Sequence, residues 1–353
     1  MVIKEDKLIQ LMFSCLLAFL ISALVSTIYS VNVMASAKQT LVFAAGIILF
    51  YISLKAAQQE RYRKYLEIIL FLTVVYSLVI AGVALYQHFA LQIIRPRSIV
   101  GRPTYAARYL ELSVPIVIAL LSTKDLGSRF VKGLLILALI CLLGGLFVTF
   151  TRGAWVATTI VILLMIIVNK QYKWFALGVV AMLPATVSNN YGVNRLFSIF
   201  QLHHEHNIER LNGWTSSLQI IKDHPWTGIG FDTFKQVYPA YMLPQAREVL
   251  AHAHNTPLVL ATEGGIFTAL FFFCFFVAAM LYIIYGYRTI GSSYYRNLVL
   301  GLACAAVALM INGAVDYAFT RSGVWAIFIF QLGFCLGLVR CFGFKNHHHI
   351  INN

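Results

Sequence analysis

Long apolar runs separated by short polar clusters dominate this 353-residue chain. A helix needs about 20 apolar residues to cross the hydrocarbon core of a bilayer. Ten segments approach that length: 8–29, 40–55, 66–88, 105–122, 131–150, 153–169, 174–188, 256–286, 295–317 and 323–340. The pattern predicts an all-α, polytopic membrane protein of about ten transmembrane helices, one integral membrane domain over 1–353. The eighth segment is too long for one simple crossing and contains Gly264-Gly265, so a short interfacial or re-entrant helix is expected before the true span. The opening Met-Val-Ile-Lys-Glu-Asp-Lys leads into an apolar run without a small-residue cleavage pattern and reads as a retained span rather than a signal peptide.

One long polar stretch, 189–254, stands between spans 7 and 8. Inside it, residues 209–222 place Leu211, Trp214, Leu218 and Ile221 at helical spacing, and Pro225 and Gly228 end the pattern. An amphipathic surface helix is expected there, with Arg210 near its start.

Composition agrees with the pattern: 60 % of residues are apolar and 11 % charged, with a mean hydropathy of +0.78. Soluble domains carry about 25 % charged residues. The net charge of +14 would suit nucleic acid, but the basic residues sit in clusters between apolar blocks, as the positive-inside rule expects. No nucleic-acid partner is implied; membrane lipids are. The six cysteines lie in or beside apolar stretches, which argues against a disulfide framework or a CxxC metal site.

With both termini in the cytoplasm, every inner loop is basic, and those loops hold nine lysines and six arginines. The long polar stretch then lies outside. The outer side holds nine arginines (Arg95, Arg97, Arg102, Arg108, Arg152, Arg195, Arg210, Arg247 and Arg321) and three lysines (Lys38, Lys222 and Lys235). Lysine and arginine serve topology about equally, so this excess asks for another cause. Arginine binds phosphate and carboxylate through two parallel hydrogen bonds and stays charged. The outer face is suited to an anion, although single arginines at helix ends also snorkel or pair with lipid headgroups.

Three pieces of sequence converge on that face. Arg95-Pro-Arg97 runs through Gly101-Arg102 to Arg108 and Glu111, a loop entering a helix on which Arg108 and Glu111, three apart, are placed to pair. Phe150-Thr151-Arg152-Gly153-Ala154-Trp155 forms a tight hairpin that sets Arg152 at membrane-surface depth. The long outer segment brings Glu209-Arg210 to Trp214, then Lys222-Asp-His-Pro-Trp-Thr-Gly-Ile-Gly-Phe231, then His252-Ala-His254-Asn255 running into Gly264-Gly265. The Gly-Ile-Gly stretch reads as a plain turn rather than a phosphate loop.

Six of the ten histidines lie in the outer region: His203, His204, His206, His224, His252 and His254. Zinc is the obvious alternative, yet no cysteine joins them and the outer acids are few and dispersed. His347-His348-His349 falls inside and reads as incidental. His254 stands at the mouth of the eighth span. A neutral imidazole accepts a proton from a hydroxyl when a neighbour fixes its tautomer, and position alone leaves a base and an interfacial histidine equally open.

Taken together, these motifs resemble the bacterial O-antigen ligase and polymerase family of membrane glycosyltransferases, a group that also includes protein O-oligosaccharyltransferases. The likeness runs from about residue 60 to 340. It rests on the arginine-rich segment entering Gly101 and Tyr-Leu-Glu-Leu, the Thr-Arg-Gly-Ala-Trp hairpin, the Arg210-to-Trp214 spacing, the Lys-Asp-His-Pro-Trp-Thr-Gly-Ile-Gly-Phe run and the His-Asn pair ahead of a glycine. Gly265 is followed by Thr268 where the family pattern often has a second glycine.

The resemblance implies a donor glycan on undecaprenyl pyrophosphate, a glycolipid or glycan acceptor, and an inverting transfer at the outer face of the cytoplasmic membrane with no metal or other cofactor. It implies His254 as the base and Arg152 and Arg210 on the pyrophosphate, assisted by Arg97 or Arg102. His252, Asn255, Arg108, Glu111 and Trp214 have supporting places. O-antigen ligase-like transfer in lipopolysaccharide or related surface-polysaccharide synthesis is the leading expectation, with polymerase or protein O-oligosaccharyltransferase as alternatives. A flippase or transporter of a lipid-linked anion is the alternative from another class; it should show an internal repeat or broken mid-membrane helices, and no repeat is evident. A structural membrane subunit would require neither His254 nor the arginines.

Overall fold

The computed structural model describes residues 5–123, 127–169 and 205–344. Within them are twelve α-helices and no strand: α1 (Glu5–Ile28), α2 (Val33–Ala57), α3 (Glu60–Phe89), α4 (Pro103–Leu121), α5 (Arg129–Val148), α6 (Arg152–Asn169), α7 (Glu205–Asp223), α8 (Phe234–Tyr241), α9 (Thr256–Gly264), α10 (Ile266–Tyr287), α11 (Ser293–Gly313) and α12 (Ser322–Phe342). Nine of these (α1 to α6 and α10 to α12) are long and apolar enough to cross a membrane. They coincide with nine of the ten expected spans. The seventh expected span, 174–188, lies outside the described residues.

The eighth segment divides as its glycines suggest. α9 stops at Gly264, Gly265 takes φ +85°, and α10 restarts at Ile266. Only glycine holds that conformation without strain. The gap is filled by backbone: Ile266 N–H donates to Pro225 O at 2.9 Å, Gly230 N–H to Glu263 O at 2.9 Å and Ile229 N–H to Thr262 O at 3.0 Å. A Cβ on Gly265 would stand 2.2 Å from Trp226 O, and one on Gly228 2.4 Å from Glu263 O. The Trp-Thr-Gly-Ile-Gly run is therefore a close-approach turn that supplies hydrogen-bonding partners where the helix is broken.

Two compact units emerge, the first comprising Met1–Leu49, Gln201–Ile284 and Gly313–Trp325, the second Phe50–Phe200, Tyr285–Asn312 and Ala326–Asn353. The core of the first is aromatic. Phe43 meets Phe19, Phe231 and Trp325 with ring centroids 5.4, 5.1 and 5.3 Å apart, and Trp325 meets Phe319 at 5.0 Å. In the second, α4 is buried along nearly its whole length and packs against α3, α5 and α6. Small residues permit close approach, as in other membrane bundles: a Cβ on Gly145 would stand 2.5 Å from Ala81 Cβ, and one on Gly301 2.6 Å from Ala119 Cβ.

The helix expected over 209–222 lies within α7, which packs on its small residues. Asn212, Gly213, Ser216, Ser217 and Ile220 are buried, whereas Leu211 and Leu218 are 52 % and 59 % exposed. The face of small residues admits its neighbours closely; a Cβ on Gly213 would come within 2.5 Å of Leu250.

Candidate active site

The first unit assembles an imidazole–carboxylate pair from two segments far apart in sequence. α9 opens on Asn255, whose side-chain oxygen accepts Leu258 N–H at 2.9 Å in an ordinary N-cap, with Pro257 in the first turn. The Asn255 amide also donates to Ala314 O at 2.9 Å. Thr256 Oγ1 donates to Asp316 O at 3.2 Å and accepts Ala318 N–H at 3.0 Å. These bonds clamp the turn after α11 onto the head of α9.

That clamp sets Asp316 beside His254, with His254 Nδ1 and Asp316 Oδ1 2.9 Å apart. Tyr317 N–H donates to the same oxygen at 2.9 Å, so the carboxylate is fixed from its own backbone. The imidazole side chain is 31 % exposed and the carboxylate 8 %, leaving one side of the ring open. His254 holds φ +49°, an uncommon conformation for a residue other than glycine. Its N–H donates to His252 Nδ1 at 3.3 Å, and the two rings stand 4.3 Å apart. A tautomer with the proton on Nδ1, shared with Asp316, leaves Nε2 as the acceptor. His252, His254 and Asp316 each offer a ligand atom within 4.8 Å of the others, the one such group of three metal-ligating side chains among the described residues.

Glu263 closes the other end of α9. It is fully buried and accepts the N–H groups of Asp232 at 3.1 Å and Phe234 at 3.3 Å. Burial pushes its carboxyl up to about 8, against the lowering effect of the two backbone bonds. The residue fixes the loop ahead of α8 rather than facing a substrate.

The expected site residues fall in both units. In the first, Arg210 is half-buried on α7, as is Trp214, whose indole nitrogen is buried without a hydrogen-bond partner. In the second, Arg152 is half-buried at the start of α6, where the helix's unpaired N–H groups also favour an anion. Its hairpin is held by Thr149 Oγ1 donating to Leu146 O at 2.7 Å, by Trp155 Nε1 donating to Leu146 O at 3.1 Å, and by Trp155 stacking on Phe147 at 4.6 Å. Arg97 and Arg102 are exposed on the loop into α4, and the guanidiniums of Arg102 and Arg108 both stand 5.6 Å from the Tyr105 ring. Arg108 and Glu111 are fully buried on α4, and Glu111 accepts Asn312 Nδ2 at 3.1 and 3.0 Å. That partnership gives Glu111 a packing role within the bundle. His203 and His204 lie outside the described residues.

Sequence reasoning missed Asp316 and Glu263. Each is an acid at the edge of an apolar run, where a charge is costly unless it is used or paired; that cost was the available signal.

Fold and site together define an all-α, multi-pass membrane protein with a half-open His–carboxylate pair on a broken helix. Residues 137–273 are similar to the family model described as O-antigen ligase. The matched stretch holds Arg152, Arg210, His252, His254 and Asn255; Arg97, Arg102, Arg108, Glu111 and Asp316 lie beyond it. No curated protein matches the chain.

Proposed function

We propose that this protein transfers a glycan from an undecaprenyl-pyrophosphate carrier to a hydroxyl acceptor at the outer face of the cytoplasmic membrane, as an O-antigen ligase does, without a metal. The observation that carries the reading is the 2.9 Å pair between His254 Nδ1 and Asp316 Oδ1. It orients the imidazole so that Nε2 accepts the acceptor's hydroxyl proton. The freed oxygen bonds to the anomeric carbon as the bond from that carbon to the pyrophosphate oxygen breaks, with inversion. The bonding pair leaves with the pyrophosphate, and Asp316 stabilises the imidazolium that forms.

Arginines compensate the leaving group's charge. We assign Arg210 and Arg152 to it, with Arg97 or Arg102 assisting. A pyrophosphate leaves readily, so little general acid is needed, which suits a site whose buried acids are already engaged with backbone, amide or imidazole groups. Chain polymerisation and protein glycosylation are the same chemistry with other acceptors.

Purified protein in vesicles with an undecaprenyl-pyrophosphate glycan and a glycolipid acceptor tests the proposal. The expected result is a new glycosidic bond and one free undecaprenyl pyrophosphate per transfer, undiminished by chelators. Movement of intact donor across the bilayer without a glycosidic product would establish the transporter instead.

A further inference from the structure

The zinc alternative weakens in sequence because the outer acids look dispersed, but Asp316 changes that balance locally. Two half-buried imidazoles and one buried carboxylate offer ligand atoms within 4.8 Å of one another. A tetrahedral zinc site with bonds of about 2.0–2.2 Å separates its ligands by about 3.3 Å, so closing the group needs ligand-atom shifts of up to about 1.5 Å through side-chain rotation. The His-X-His spacing already turns both rings together, 4.3 Å apart. Asp316 is anchored by Tyr317 N–H and carries the negative charge that a dication needs. The exposed side of His254 leaves room for water as a fourth ligand. Two imidazoles with one carboxylate suit zinc, cobalt and nickel better than magnesium or calcium.

We propose that His252, His254 and Asp316 form a three-ligand site for a divalent transition metal, and that its occupancy shuts off glycosyl transfer. The inhibitory half rests on the reading of His254 as base; the binding half rests on the ligand geometry alone. A neutral imidazole has two nitrogens, one proton and one ring lone pair. Metal on Nε2 occupies that lone pair directly. Metal on Nδ1 displaces the proton shared with Asp316 and leaves Nε2 protonated. Either mode removes the acceptor for the hydroxyl proton, so the metal and the reaction compete for one electron pair.

Cobalt(II) added to the purified full chain tests binding without reference to activity. The starting protein carries alanine at His347, His348 and His349, because that run binds metals by itself. It should develop the intense visible absorption of four- or five-coordinate cobalt, saturating at one ion per chain and lost on addition of excess zinc. His252→Ala and, separately, Asp316→Ala should each weaken cobalt binding at least tenfold while keeping a monodisperse chromatographic profile. His252→Gln provides a second reading at that position. Unchanged cobalt binding in all three variants, or no cobalt signal in the starting protein, would overturn the site. In the vesicle assay, zinc should inhibit transfer reversibly. His252→Ala, compared with its own metal-free rate, should need at least ten times more zinc for half inhibition. Stimulation by zinc, or loss of transfer on chelation, would overturn the inhibitory assignment and count against metal-free transfer as well. A failure of the base assignment appears separately, as full transfer by His254→Ala while cobalt binding in the starting protein stands.

Discussion

Replacing Asp316 by asparagine removes one charge and very little else. The amide is nearly isosteric, and its oxygen can still accept from Tyr317 N–H and His254 Nδ1, contacts now at 2.9 Å each. What disappears is the carboxylate's attraction for the imidazolium formed as the acceptor loses its proton. Hydrogen bonds involving a charged group contribute about 1.5–3 kcal/mol, and each 1.36 kcal/mol on a barrier is about tenfold in rate. Asp316→Asn should therefore lower kcat by about ten- to a hundredfold with little change in the donor's KM. His254→Ala, which removes the base itself, should cost about a hundred- to ten-thousandfold. If Asp316 acts through His254, the two losses do not add: in a His254→Ala background, Asp316→Asn should change the rate less than twofold. The assay is initial-rate transfer in vesicles by all four members of the cycle, normalised to folded protein. Independent, multiplicative losses, or full activity of Asp316→Asn, would refute the coupling.

Three further outcomes follow from the same geometry. Arg210→Ala and Arg152→Ala should each lower kcat/KM for the donor by about ten- to a hundredfold, with lysine restoring little because it lacks the planar fork; unchanged donor kinetics would remove that arginine from the pyrophosphate. Gly265→Ala forces a Cβ to 2.2 Å from Trp226 O at φ +85° and should cost about 1–3 kcal/mol or more, read as a lower thermal midpoint in detergent, whereas Gly291→Ala, with nothing within 4 Å, should leave the midpoint unchanged. Glu263 keeps its proton in the folded protein up to about pH 8, above its ordinary 4.5, so the unfolded chain ionises first as pH rises. The stability that Glu263 contributes is fully present below about pH 4.5 and is lost on the way to pH 8; Glu263→Gln should flatten that slope in thermal unfolding, and an unchanged slope would remove Glu263 as its cause.

The membrane spans were legible because a bilayer demands long apolar runs with satisfied backbones, and the break at Gly264-Gly265 was legible because two glycines sat inside a run too long for one crossing. The helix α7 was legible from its spacing, but the side on which it packs was not: small residues take that side and Leu211 and Leu218 are left exposed. His254 and the arginines stood out as polar residues between the apolar runs. Asp316, sixty-two residues further on, did not, because pairing between the head of α9 and the turn after α11 depends on how two helix ends meet. Local spacing carries no record of that. The same contact involves Asn255, which caps α9 and ties it to Ala314.

The central claim, that His254 accepts the acceptor's proton in a transfer from a pyrophosphate-linked glycan, is tested most directly by single-turnover transfer in vesicles loaded with that donor, comparing the native chain with His254→Ala. The native chain should form the glycosidic product with inverted configuration and release undecaprenyl pyrophosphate in equal amount, while the variant, inserted and folded to the same extent, should form both about a hundredfold or more slowly. Equal rates from both would contradict the account.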